Sequence, residues 1–174
     1  MQTQDVLLKN QPKEREDRDP AMQYLTYTLD DEVFAMDIRS VREIIQYANM
    51  TTVPMMPVFV RGVINLRGQV VPVIDLQSRL GRSVSRVGKK TCIIIFDAVS
   101  DGEKVAIGLM VDAVSEVIEI LDTDIEPPPQ FGASIRKDYI RGMGKVGAEF
   151  IVILEPEKAL SIEDMAMLAE QSRA

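Results

Sequence analysis

The chain repeats itself, and that repetition limits what it can fold into. Displaced by 73 residues, AMDIRSVREII (Ala35 to Ile45) lies on GLMVDAVSEVI (Gly108 to Ile118), matching Ile38 with Val111, Val41 with Val114, Glu43 with Glu116 and Ile45 with Ile118. Displaced by 80, FVRGVINLRGQVVPVIDLQSRL lies without a gap on YIRGMGKVGAEFIVILEPEKAL, matching Arg61-Gly62 with Arg141-Gly142 and Leu80 with Leu160. The two blocks keep their order, and the difference in offset falls in the proline-rich loops between them. Two similar β subdomains of about 65 to 80 residues each follow, too few repeats for a solenoid. The halves run over approximately 24–90 and 91–160.

Each half reads as short strands broken by Gly, Pro and Asp. YLTYTL and VFAMDI flank the turn Asp30-Asp31, and TCIIIFDAV and KVAIGLMV flank Ser100-Asp101-Gly102. FVRGVINL and QVVPVIDL flank Arg67-Gly68. VREII after Ser40 fits either one helical turn, with Glu43 completing a capping box, or a further strand. LQSRLGRSVSRVGKK is a basic connector that could open with a short helix. Ser161, Glu163 and Asp164 mark the start of a C-terminal helix over approximately 161–172. Residues 1–20 are polar and mixed in charge, and are expected to form a disordered tail ahead of a domain over 21–174. Many short oily strands with almost no long helix predict small closed barrels, whose seam offers a groove to a partner.

The composition excludes most chemistry. Histidine is absent, which removes the commonest general base and metal ligand. The single cysteine, Cys92, lies in TCIIIF and reads as a small buried hydrophobe. No phosphate-binding glycine loop or nucleophile elbow occurs. A net charge of -7 argues against nucleic acid. No apolar run is long enough to insert in a membrane, and no secretory signal opens the chain, so a cytoplasmic location is expected. Charge is uneven: five Arg and two Lys against one Asp from Arg61 to Lys90, then nine acidic residues against Lys104 from Asp97 to Glu126. Such asymmetry suits orientation of a charged protein partner.

The candidate residues divide by whether they recur. Arg61-Gly62 returns as Arg141-Gly142 and reads as a structural bend. Arg67-Gly68 is replaced by Gly147-Ala148, so the fold does not require Arg67, which is left available for a partner. Glu43 and Glu116 could be capping carboxylates. Asp37 and Asp75 sit at strand ends as turn acceptors, and a small β-barrel hydrolase built on either is the competing enzyme reading. Met55, Met56, Val58 and Phe59, and separately Phe131, are loop anchors or apolar contacts.

GVINLRGQVVPVIDL resembles the CheW family of chemotaxis adaptors, as do VFAMDIRSVREII, IGLMVDAVSEVIEI, the segment from Ile125 to Phe131, and YIRGMGKV, all in the family's order over about residues 22 to 172. The resemblance implies a mainly β fold of two SH3-like five-stranded barrel subdomains sharing a hydrophobic core, with no catalytic activity and no cofactor or metal. It implies an adaptor at chemoreceptor arrays that couples the cytoplasmic tips of methyl-accepting chemoreceptors to the regulatory domain of the histidine kinase CheA. Carried over by motif, the receptor contact falls on Val41, Glu43, Gly62, Asn65 and Arg67, and a kinase contact on Phe131. The domain also occurs in CheA and CheV, but this length has no room for a kinase or receiver. Gln77 departs from the basic residue many relatives carry there. A coupling protein of another chemosensory pathway, such as a pilus or developmental one, is the alternative.

Overall fold

The structure is a computed structural model and describes residues 21–128 and 139–160. The tail over 1–20, Phe131 and the helix expected over 161–172 lie outside the described residues. Eleven strands are described: β1 (Ala21–Leu29), β2 (Glu32–Asp37), β3 (Val41–Gln46), β4 (Val60–Leu66), β5 (Gln69–Asp75), β6 (Cys92–Ser100), β7 (Glu103–Val111), β8 (Ala113–Leu121), β9 (Ile125–Glu126), β10 (Ile140–Val146) and β11 (Glu149–Leu154). VREII is therefore a strand. The short 3-10 turn before it, Ile38–Ser40, is capped by Asp37, so Glu43 caps nothing.

The strands form two sheets, in the orders β8-β1-β2-β11-β10-β9 and β3-β6-β7-β5-β4. Position by position these are the same sheet: β8 corresponds to β3, β1 to β6, β2 to β7, β11 to β5 and β10 to β4. In sequence, however, the repeat runs from β1–β5 to β6–β11. Each half therefore sends its opening hairpin into one subdomain and its remaining strands (three in the first half, four in the second) into the other. The parallel pairings β2 with β11 and β5 with β7 are the joints of this exchange. The halves 24–90 and 91–160 are thus units of sequence but not of structure, because β6 and β7 pair with β3 and β5.

The exchange explains why the two opening hairpins are oily on both faces. In β6, Ile94 and Phe96 point into one cluster, while Ile93 and Ile95 point into another. In β1 and β2, Leu25, Tyr27, Phe34 and Met36 join the first of these clusters, while Tyr24 and Ala35 join a third. Alternate side chains leave opposite faces of a strand. Each hairpin thus fills its own barrel with one face and the core shared between barrels with the other. Both hairpins turn through paired positive φ angles, at Asp30-Asp31 (51° and 67°) and Asp101-Gly102 (52° and 79°), the handedness that matches strand twist.

Tyr27 is fully buried in the shared core and stacks on Phe34 at 6.2 Å. Its hydroxyl has no hydrogen-bond partner among the described residues, and burial pushes its pKa far above the ordinary tyrosine value. An unpaired buried hydroxyl costs about 1–3 kcal/mol. Tyr27→Phe is accordingly expected to leave urea-unfolding stability unchanged or raise it by about 1 kcal/mol. A clear loss of stability would show that the hydroxyl is paired.

Candidate functional site

The recurring Arg-Gly pair is architectural in both subdomains. The ladders slip by one residue between Val60 and Gly62 in β4, and again between Ile140 and Gly142 in β10. At each bulge another chain segment crosses closely. Thr51 and Val63 exchange backbone hydrogen bonds of 2.9 and 2.8 Å, and Met143 pairs with Glu126 of β9 at the equivalent place. A Cβ on Gly62 would run into the Thr51 carbonyl oxygen, and its φ of +152° lies in the glycine-favouring region. The expected bend is thus a bulge that admits a crossing strand.

Asp75, at the end of β5, is fully buried. It accepts from Ser85 N (2.8 Å), Ser85 Oγ (2.8 Å), Ser78 N (3.3 Å) and Arg61 Nη1 (3.2 Å). The Asp75 carboxylate thus caps the helical turn Leu76–Arg79 by accepting from Ser78 N, and its bonds from Ser85 tie the basic connector to the barrel. Asp37 accepts from Arg39 Nη2 at 2.7 Å and Arg141 Nη1 at 3.1 Å. Both carboxylates are occupied as structural acceptors. Among the described residues, no group of three or more acidic or cysteine side chains is placed to hold a metal.

The Arg39 guanidinium, with the Arg39 N–H and Arg141, holds Asp37 down to about 2 from 3.8, against the opposing effect of burial. Because the folded value is depressed, the stabilisation is complete above about pH 4 and drains away as pH falls toward 2. With screening at a site open to solvent it is worth on the order of 1 kcal/mol. Thermal denaturation of wild type and Asp37→Asn should therefore differ above pH 4 and converge below it. Parallel curves would remove Asp37 from the acid response.

The non-recurring pair behaves differently. Arg67 and Gly68 have φ of 51° and 85°, the signature of a type I′ turn, and Asn65 Oδ1 accepts from Gly68 N at 2.7 Å. From this turn the Arg67 guanidinium forks onto the Glu43 carboxylate, with Nη1 to Oε1 at 3.2 Å and Nη2 on Oε2. Arg67 is therefore already engaged within the chain. It remains accessible, at 63% side-chain exposure, and holds Glu43 below the usual carboxylate range.

Glu43 lies on β3 and Arg67 follows β4, the two outer strands of their sheet. The pair is thus a clasp across the seam where a barrel must close, formed between residues distant in sequence. Val70, paired with Asn65 across the turn, is 70% exposed, whereas Ile44, 41% exposed, leaves the face of β3 opposite to Glu43 with Arg42, whose Nη1 reaches Asp97 at 3.3 Å. Sequence reading passed over Ile44 and Val70. The alternation of VREII would have flagged Ile44 had its strand character been clear.

Of the five residues carried over by motif, Glu43, Asn65 and Arg67 meet on this surface. Val41 is half-buried against the shared core, and Gly62 is buried at the bulge. In the preceding loop Met56 and Phe59 pack on the core, whereas Met55 and Val58 are exposed.

Comparison with known proteins agrees with this architecture. The CheW-like domain profile matches residues 23–164. The chain is similar to the chemotaxis protein CheW of Klebsiella aerogenes, 34% identical over 146 residues that cover 84% of this chain and 86% of the relative. It is also similar to the protein FrzA of Myxococcus xanthus, 29% identical over 71% of this chain and 74% of the relative. Among solved structures it resembles the scaffolding protein TtCheW of Thermoanaerobacter tengcongensis, with a TM-score of 0.73 and 34% identity, covering 83% of this chain and 91% of that one. The profile match over most of the chain and the relative at 34% identity show that the protein belongs to the CheW-like domain family.

Proposed function

We propose that this chain is a non-catalytic chemotaxis adaptor, coupling the cytoplasmic tips of chemoreceptors to the histidine kinase CheA. The observation that carries the reading is the exposed clasp of Glu43 and Arg67, with Asn65 beneath the turn and Val70 beside it. It combines a charged pair with flanking apolar surface, the composition of a small protein-binding hot spot. In this reading Arg67 and Asn65 touch the receptor tip. Glu43 aims the guanidinium, and Val41 and Gly62 support β3 and β4 from within.

Phe131 is assigned to the kinase side on the family resemblance. Among the described residues no helix is long and apolar enough to cross a membrane, consistent with an adaptor recruited to a cytoplasmic array. The carboxylates of the hydrolase reading, Asp37 and Asp75, are engaged in capping and ion pairs. The test is charge reversal at Arg67, read as co-sedimentation with receptor signalling fragments in the presence and absence of CheA. Wild type should form a ternary complex that Arg67→Glu does not. Equal recovery of both would overturn the assignment.

A further inference from the structure

The internal repeat makes the second barrel a control for the first. Where Arg67 reaches Glu43, the equivalent seam has Glu116 on β8 and Gly147-Ala148 between β10 and β11. Gly147 has φ of +63°, and no side chain leaves this turn to cross the gap. The Glu116 carboxylate makes no hydrogen bond or ion pair with any described residue, and only its backbone is held, by Thr26 Oγ1 at 2.9 and 3.1 Å.

At this seam lies a cavity of about 470 Å³. Its walls include apolar Val33, Val146 and Phe150, exposed by 43%, 37% and 50%. Four carboxylates line it (Asp31, Glu32, Glu116 and Glu149), and no Lys or Arg does. Glu32 is engaged by Arg82 at 2.9 Å, so the unmatched charge centres on Glu116 and its neighbours.

We propose that this seam is a docking site for a partner polypeptide that inserts an arginine flanked by apolar residues, supplying in trans the guanidinium that Arg67 supplies in cis to the other barrel. Three observations converge on that chemistry. The equivalent carboxylate in the same molecule is forked by arginine. The walls are apolar and suit short aliphatic neighbours. The charged residues of the lining are all acidic, and among the described residues only Glu32 is paired, which opposes an acidic segment and draws a basic one. Arginine is favoured over lysine because its planar fork meets both carboxylate oxygens at once. This site is separate from the clasp at Glu43 and does not depend on the receptor reading.

The experiment titrates the full chain, labelled with ¹⁵N, with the peptide acetyl-Ile-Leu-Arg-Gly-Val-amide and with its Arg→Lys and Arg→Glu counterparts. Saturable shifts are expected at the amides of Ser115 to Ile118 and Val146 to Ile151 with the arginine peptide. Binding should be weaker with lysine and absent with glutamate. Glu116→Gln should weaken the arginine peptide by about two- to fivefold, the range of an exposed ion pair. Gly147→Arg combined with Ala148→Gly rebuilds the turn of the other barrel and should abolish binding while leaving the spectrum dispersed. No saturable shift, equal binding of the glutamate peptide, or undiminished binding to the double variant would overturn the proposal. So would concentration-dependent self-association that Glu116→Gln abolishes, which would make a second copy the occupant.

Discussion

Residues 21–90 expressed alone will not fold, and neither will residues 91–174. This expectation comes from the strand exchange. The first fragment keeps the hairpins β1–β2 and β4–β5 but loses β8, β11, β6 and β7, the strands that pair with β1, β2, β3 and β5. Two-stranded hairpins are marginal in water without a third strand or a packed face. The apolar faces that fill the shared core would be stripped on both sides at once, exposing Leu25, Tyr27, Phe34 and Ile74. Each fragment should show a narrow amide spectrum, and an equimolar mixture should recover the dispersion of the intact chain. A dispersed spectrum from 21–90 alone would mean that the pairing order given above is incorrect.

The second large effect belongs to Asp75. Replacing it with alanine strands Arg61 beside a buried site and leaves the N–H groups of Ser78 and Ser85 without their acceptor. Removing one partner from a buried ion pair typically costs about 3–5 kcal/mol, because the remaining charge and donors stay desolvated. Asp75→Ala should lose about that much in urea unfolding, and Asp75→Asn, which retains an acceptor oxygen, markedly less. The connector holding Ser85 should loosen, raising amide exchange there first. A loss below about 1 kcal/mol for Asp75→Ala would show that solvent reaches the site and that the carboxylate is not the anchor described.

The duplication, the turns and the strand character of most segments were legible in the sequence, because period-two alternation and Asp or Gly at turn positions are local signals. The exchange between halves was not. The match of Met36 to Leu109 says that the two occupy equivalent places, without saying that β2 pairs with β11 and β5 with β7. That choice is set by long-range packing. VREII stayed ambiguous for a related reason: Ser40 and Glu43 satisfy a capping box while Val41, Glu43 and Ile45 satisfy a strand, and pairing with β6 decides it.

The same blindness to long-range pairing hid the clasp. Comparing the two halves singled out Arg67 as replaced in the second half, yet nothing in the sequence joined it to Glu43, which was offered as a possible cap. Only the sheet order, which places β3 and β4 at opposite edges, brings the two together. Asp75 was expected as a turn acceptor and is one, but its complete burial depends on the connector folding back through Ser85, which no local pattern announces.

Receptor-stimulated CheA activity with Arg67→Glu, alongside the exchange of Glu43→Arg with Arg67→Glu, tests the central claim most directly. The single change sets two carboxylates against each other on an exposed seam, at little cost to the fold. The exchange restores the ion pair with its poles reversed. If Arg67 touches the receptor, both proteins will remain folded and both will fail to couple the kinase to receptor. Wild-type stimulation in the single variant, or its recovery in the exchanged pair, would contradict the account and reduce the clasp to a device for closing a barrel.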